Sequence, residues 1–294
     1  MSERVLSGKS AIVTGASQGL GHEIARHFLA AGADIAICAR SAVDIESAAL
    51  ALRQAHPNRN VLAVTCDIAR TEDLDRLFDA VASTFGTLDI LVNNAGIHGP
   101  IGPLDAIDWA AWQEAIAVNL NGTVYACRRA VQHFKGKPAD RHRKIINLSG
   151  GGATAPQPGL TAYGASKAGL ARFTETLAEE VKAFGIDVNA VAPGALKTRL
   201  LDELLAAGPQ NIGEQDHSRV SRLKEDGTAP MAHAAELAVF LASAASDGIT
   251  GKLISALWDN WPAWPAHIDE LQRSDIYTLR RITGRDRGAG WGDK

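Results

Sequence analysis

The sequence lacks most of what would mark a secreted, membrane-embedded or nucleic-acid-binding chain. Its 294 residues hold only three cysteines, Cys38, Cys66 and Cys127, odd in number and far apart in apolar surroundings. That argues against a disulfide framework or a metal knot, and leaves reduced core thiols in a reducing compartment with no metal expected. An excess of charge of either sign is also missing. Thirty Lys and Arg stand against 33 Asp and Glu, a formal net charge of −3, so nothing pulls the chain toward nucleic acid or an anionic membrane surface. No apolar run approaches the roughly 18 residues that a bilayer span requires. Met1-Ser2-Glu3-Arg4 is followed by no apolar leader core, so a cytoplasmic protein acting on a small molecule is expected. Internal repeats and long low-complexity linkers are absent as well.

What is present is enough apolar residue, 46% of the chain, to fill one large core. Short β-branched runs at 10–14, 34–39, 61–66, 88–92, 144–149, 186–192 and 252–257 read as strands. Helical patterns lie near 22–31, 43–54, 72–85, 109–134, 162–183 and 234–242. Such alternation predicts an α/β fold, a single doubly wound parallel sheet of seven strands in a three-layer αβα arrangement. Residues 1–257 form that domain. Within it, 195–233 has no strand pattern, carries Gly208, Pro209, Gly213, Gly227 and Pro230, and follows a strand end, as a substrate lid would. Its Leu200, Leu201, Leu204, Leu205 and Met231 fit an apolar lid face or ordinary helix packing. Residues 138–144 read as a charged surface loop whose Arg141, His142, Arg143 and Lys144 are solvated. A C-terminal extension, 258–294, is rich in Trp and Arg, with Trp258, Trp261, Trp264 and Trp291. It reads as a tail packed on the body or on a neighbouring subunit, with a substrate cage as the alternative.

The first strand runs into Thr14-Gly15-Ala16-Ser17-Gln18-Gly19-Leu20-Gly21. Gly15 lets the chain turn, Gly19 lets backbone approach a pyrophosphate, and Gly21 permits close packing of the following helix, whose N-terminus faces the phosphates. The second strand ends in Cys38-Ala39-Arg40-Ser41, where an acidic residue would bind a ribose diol. Uncharged Ala39 before Arg40 suits a 2′-phosphate, so NADP(H) is expected, with NAD(H) as the alternative and a loop-capping Arg40 as the structural one. After the third strand, Asp67 either accepts from the adenine amine or caps the next helix.

Far downstream stands Tyr163-Gly164-Ala165-Ser166-Lys167. Four residues apart on a helix, Tyr163 and Lys167 share a face, and the ammonium lowers the cost of a phenolate beside it. A free tyrosine, with a pKa of about 10, is too weak a base at neutral pH without such help.

With Asn93-Asn94-Ala95-Gly96, Val118-Asn119-Leu120-Asn121-Gly122 and Pro193-Gly194-Ala195-Leu196-Lys197-Thr198 in order between and after these motifs, the chain resembles the short-chain dehydrogenase/reductase family over about residues 7–257. The resemblance implies a Rossmann-like sheet and a nicotinamide dinucleotide held by Gly15, Ser17, Gln18, Gly19, Leu20, Gly21, Arg40, Asp67 and Ile68. Asn93, Ala95 and Gly96 would line its adenosine side and brace the sheet. Pro193 and Gly194 would flank the nicotinamide and Thr198 would bond its carboxamide. Tyr163 would be the proton donor or acceptor for a carbonyl or alcohol substrate. Lys167 would assist it and hold the ribose, and Asn119 would hold a relay water through its side chain at a helix distortion. A homodimer or homotetramer through the helices of Asn119 and Tyr163 is implied on the same ground.

Three positions depart from the pattern. Thirteen residues before Tyr163, where the family commonly carries a catalytic serine, stands Gly150, with Ser149 one position early. Strand alternation aims Ser149 away unless a bulge re-registers it. The openings are Ser149 after such a shift, no serine at all, or another donor such as Thr154, Thr161 or a backbone amide. Gln18 replaces a basic residue frequent among NADP users, and 251–258 lacks the family's usual aspartate and paired glycines. The leading expectation is an NADP(H)-dependent ketoreductase or secondary-alcohol dehydrogenase. A nucleotide-binding sensor that has lost turnover, and epimerase or dehydratase chemistry on the same scaffold, are the competing readings.

Overall fold

A computed structural model of the chain describes residues 4–136 and 142–291. Seven strands, β1 (Ser10–Thr14), β2 (Asp34–Ala39), β3 (Val61–Thr65), β4 (Ile90–Asn93), β5 (Arg143–Leu148), β6 (Ile186–Ala192) and β7 (Leu253–Ser255), form one sheet in the order β3-β2-β1-β4-β5-β6-β7. Every neighbouring pair is parallel. The order reverses direction at β1 and β4, so their C-terminal ends open a crevice at the switch point, where such sheets bind ligands.

Period-two alternation divides the sheet between two cores. Ala11 and Val13 face one side with α1 (Gly19–Ala30), α2 (Ala42–Ala55) and a helix over Met231–Ala242, whereas Ile12 faces the other with α3 (Thr71–Phe85) and the helices that follow β4 and β5.

The expected single helix over 109–134 is two: α4 (Trp109–Ile116) and α5 (Thr123–Lys135), joined by a π-helical stretch, Ala117–Gly122. Two contacts account for the break. Gly122 lies so close to the Ile68 carbonyl oxygen that a β-carbon would overlap it, and the Asn119 side chain is drawn onto the backbone of Ile97. β5 leads into α6 (Thr161–Val181). After β6 the chain forms α7 (Arg199–Ala207), α8 (Pro209–Ile212) and α9 (Glu214–Asp226), tied back by a bridge between Leu196 and Ala229, and then the long α10 (Met231–Ala242).

The expected solvated loop at 138–144 is corrected at its C-terminal end; residues 138–141 lie outside the described residues. Arg143 and Lys144 open β5 and are buried, Lys144 at 1% exposure. Pairing places Lys144 beside Asp187 of β6, and its Nζ donates to Asp187 Oδ2 at 2.8 Å and Ser246 Oγ at 3.1 Å, with Asp247 Oδ1 also 2.8 Å away. His142 Nδ1 lies 2.9 Å from the same Asp187 oxygen. Ligand-capable atoms of His142, Asp187 and Asp247 gather within 4.8 Å of one another, and the Lys144 ammonium is the cation among them. A charged pair in a buried strand breaks the binary pattern, so composition alone reads it as surface.

Beyond β7 the chain packs on the outer edge of the sheet. Leu253 N–H donates to the Tyr277 carbonyl at 2.8 Å, and Lys252 Nζ donates to the Ser274 and Ile276 carbonyls at 3.1 and 3.0 Å. Trp264, in a 3₁₀ stretch over Trp261–His267, and Leu271, in the helix α11 (Ile268–Arg273), join the core, while Trp258 and Trp291 stay exposed. The segment therefore covers an otherwise open strand edge.

Candidate active site

The crevice at the switch point is a cleft of about 1020 Å³ that runs from the β1–α1 turn, past the ends of β4 and β5, to α7. Gly15 and Gly19 both hold φ near +60°, the left-handed region that favours glycine. A β-carbon on Gly15 would stand 2.7 Å from Ala95 Cα, and one on Gly21 would overlap the Asn94 amide and the Gly15 carbonyl. Gln18, at the N-cap of α1, bonds none of the first-turn amides through its side chain. Those amides and the helix dipole therefore face the cleft, as a pyrophosphate site requires. The residues present fit a dinucleotide.

Ser17, Gln18, Leu20, Arg40, Asp67, Ile68, Ala95 and Gly96 line the cleft with the first two glycines, and Pro193, Gly194 and Thr198 line its opposite wall. Gly21 lies beneath it as a packing residue. Arg40 is half exposed, with Nη1 only loosely 3.5 Å from Glu114. The N-cap of α2 is its neighbour Ser41, whose Oγ accepts from Asp44 N–H. Asp67 accepts from Ala69 N–H at 3.0 Å, closing a turn, and leaves the cap of α3 to Arg70.

Asn93 is corrected as a cleft residue. Its amide donates to Asn147 Oδ1, at the paired position of β5, at 2.9 Å and to Cys127 Sγ of α5 at 3.3 Å, so it braces the sheet as expected without lining the cleft. Alternation hands the cleft to Asn94, missed in the sequence reading, whose amide donates to the Thr14 and Gly15 carbonyls at 3.0 Å and pins the glycine turn. Asn119 likewise turns its side chain to the protein. Oδ1 accepts from Ile97 N–H at 2.9 Å, and Nδ2 donates to the Ile97 carbonyl at 2.8 Å and Ser166 Oγ at 3.1 Å. Both amide hydrogens are thus committed to protein, and the side chain keeps one lone pair of Oδ1.

Tyr163 and Lys167 share the buried face of α6 at the cleft. The ammonium stands 5.7 Å from the centre of the Tyr163 ring, and its Nζ donates to the Leu148 carbonyl at 2.7 Å. Burial pushes the Tyr163 hydroxyl up to about 12 and Lys167 down to about 8. The expected lowering of the tyrosine by its lysine does not appear, because burial outweighs a charge turned toward Leu148.

No bulge re-registers Ser149. Its N–H continues the ladder to the Val191 carbonyl at 2.8 Å, and its buried Oγ makes no hydrogen bond. Gly150 is the position aimed at the tyrosine, and a β-carbon there would overlap the Tyr163 hydroxyl oxygen. Two further cleft residues escaped the sequence reading. His98 is buried with its ring edge-on to Tyr163 at 5.1 Å between centroids, and Gln157 stands near Gly152. Both sit on irregular loops, outside any periodic pattern. From the lid, Leu200, Leu201, Leu204 and Met231 line the cleft, joined by Val220 and Leu223 and not by Leu205; no residue beyond 231 reaches it among the described residues.

The fold and this cleft define a nicotinamide-dependent oxidoreductase of alcohols and ketones, and the comparisons with known proteins agree. The family model for the short chain dehydrogenases matches residues 9–207. The chain belongs to the short-chain dehydrogenase/reductase family. It is 43% identical to 3beta-hydroxysteroid dehydrogenase 1 of Eggerthella lenta over 204 residues, 68% of this chain and 76% of that one. Among solved structures, the 3-ketoacyl-(acyl-carrier-protein) reductase of Brucella melitensis complexed with NADH superposes with a TM-score of 0.72 at 31% identity, over 85% of this chain and 97% of that one. The RhlG/NADP active-site complex of Pseudomonas aeruginosa gives 0.75 at 29% identity, over 87% and 97%. Among the described residues, no helix is long and apolar enough to cross a membrane.

Proposed function

We propose that the chain transfers hydride between NADP(H) and a ketone or secondary alcohol, with Tyr163 as general acid and base. The observation that carries this reading is the continuity of one cleft from the glycine turn at Gly15 and Gly19 to Tyr163 and Lys167. A bound nicotinamide dinucleotide would supply the hydride donor or acceptor. The free amides of α1 would hold its pyrophosphate, Arg40 its 2′-phosphate, and Thr198 with Pro193 and Gly194 the nicotinamide end. Tyr163 gives the proton on its hydroxyl to the substrate oxygen in reduction and takes it back in oxidation. Lys167, with one donor spent on Leu148, keeps two for the ribose hydroxyls. With no side chain at 150 and the Ser149 hydroxyl unaligned, the substrate oxygen rests on Tyr163 itself. Residues 195–233 serve as the lid. A cytoplasmic location and a homodimer or homotetramer complete the reading; exposed Leu104 and Trp109 beside α4 offer apolar surface to a second copy.

The direct test is nicotinamide absorbance during incubation with a panel of ketones and secondary alcohols and each cofactor. Turnover supports the proposal. Cofactor binding with no turnover across the panel supports a nucleotide-binding sensor, the reading that Gly150 favours.

Three outcomes are expected in that assay. Arg40→Ala raises the KM for NADPH roughly tenfold and that for NADH far less, since a charge-assisted contact is lost only with the former; equal effects would separate Arg40 from the 2′-phosphate. Gly150→Ala forces the Tyr163 hydroxyl aside by about an ångström and lowers kcat on the order of 10–10²-fold with cofactor affinity kept. Reduction stays flat with pH while Lys167 is charged and falls as pH rises through about 8, the tyrosine remaining protonated. A kcat profile flat well above that pH would contradict the role of the lysine.

A further inference from the structure

Three buried polar atoms that line one end of the cleft have no hydrogen-bond partner: His98 Nδ1, Ser149 Oγ and Gln157 Oε1. His98 Nδ1 comes within 3.3 Å of Glu203 Oε2 on α7, but not in hydrogen-bond alignment. Folded chains pair their buried polar groups, so orphans converging on one wall point to a partner that arrives from solution.

Two of them, on His98 and Gln157, stand beside the proton-transfer group. The His98 ring meets Tyr163 edge-on at 5.1 Å. Gln157 Oε1 lies 3.0 Å from the place a β-carbon on Gly152 would take, and that place is 3.1 Å from Tyr163 Cδ1, so the amide sits across Gly152 from the tyrosine ring.

The chemistry of the pair narrows the ligand. Burial, with Lys167 and Arg199 nearby, pushes His98 down to about 4, so at neutral pH its ring carries one donor and one acceptor. The Gln157 amide likewise offers both. A donor and acceptor on each side suits a hydroxyl, which gives one hydrogen bond and takes others. A carboxylate or phosphate would want a cation facing the pair, whereas Arg199 is engaged 3.1 Å from Glu203 Oε1, Lys167 is held at the Leu148 carbonyl and the ribose, and Lys197 is exposed. The remaining wall, with Leu160, Leu196, Leu201, Leu204, Val220 and Met231, is apolar. It receives a hydrocarbon skeleton.

We propose that His98 and Gln157 form a second-oxygen subsite beside Tyr163, and that the substrate bears a further hydroxyl close to the reacting carbon, on an otherwise apolar frame. This rests on the reading of the chain as an alcohol and ketone oxidoreductase. Both residues are specificity-determining: they select the substrate without taking part in the proton or hydride step.

The experiment compares kcat/KM for vicinal cyclohexanediol and for cyclohexanol in the wild type, H98L, Q157L and H98Q. The wild type is expected to favour the diol on the order of 10–10²-fold, because cyclohexanol leaves the two polar groups unpaired. H98L and Q157L each lower that ratio at least about tenfold, whereas H98Q, which keeps a donor and an acceptor, retains most of it. Since the two leucine variants alter different loops, one failing to fold leaves the other to decide. A wild-type ratio near one, or a ratio kept in both leucine variants, overturns the subsite and leaves the oxidoreductase reading intact. If neither alcohol turns over, saturation-transfer NMR of the same diol on cofactor-loaded protein decides. Binding weakened in the leucine variants upholds the subsite and leaves the redox reading to the wider panel, and equal or absent binding overturns the subsite.

Discussion

Tyr163→Phe lowers kcat for ketone reduction on the order of 10²–10⁴-fold, the usual contribution of a positioned general acid, while the protein still binds its cofactor. The phenol is held where neither Ser149 nor Asn119 stands in for it. A serine is missing at 150, and the Ser149 hydroxyl is buried without a hydrogen bond. The Asn119 amide is bound to Ile97 and Ser166. Burial keeps the tyrosine protonated to about 12, so it arrives at the substrate as an acid, and oxidation needs the charge of Lys167 and of the oxidised nicotinamide to release that proton. Phenylalanine preserves the packing against His98 and removes only the oxygen, so stability should hardly change. Steady-state kinetics beside a cofactor titration reads both; a variant retaining more than about a tenth of wild-type kcat would move the proton transfer elsewhere.

Lys144→Ala is expected to destabilise the fold by about 3–5 kcal/mol, the cost of stranding one member of a buried ion pair. Asp187 would be left on β6 at 4% exposure, with His142 and the Gly248 N–H as its remaining partners. Replacing both partners by apolar residues, as in Lys144→Met with Asp187→Leu, should cost less than Lys144→Ala alone, since no uncompensated charge then remains. Urea unfolding of the three proteins, compared at unchanged slope, measures the difference. A single variant within about 1 kcal/mol of wild type would mean that Asp187 is already satisfied without the lysine.

Features governed by local rules were legible in the sequence. The strand–glycine–helix unit at Ser10–Ala30 obeys turn sterics and the helix dipole, and the pairing of Tyr163 with Lys167 needs only helical spacing. Both stand where expected. What escaped depends on contacts distant in sequence. Asn93 and Asn94 exchange roles because the face each takes depends on strand phase, which a four-residue motif does not reveal. The break at Asn119 is imposed by Ile68 and Ile97 from other loops. Lys144 reads as surface until Asp187 and Asp247 are brought beside it. His98 and Gln157 lie in loops without periodicity, so only the folded cleft brings them to Tyr163.

Whether hydride passes between the nicotinamide and the substrate carbon while Tyr163 moves the proton is read by single turnover with cofactor deuterated at the transferring carbon. The account predicts product carrying deuterium at the carbinol carbon at a rate reduced in Tyr163→Phe. Product formed without the label, or labelled equally fast in the variant, would contradict it.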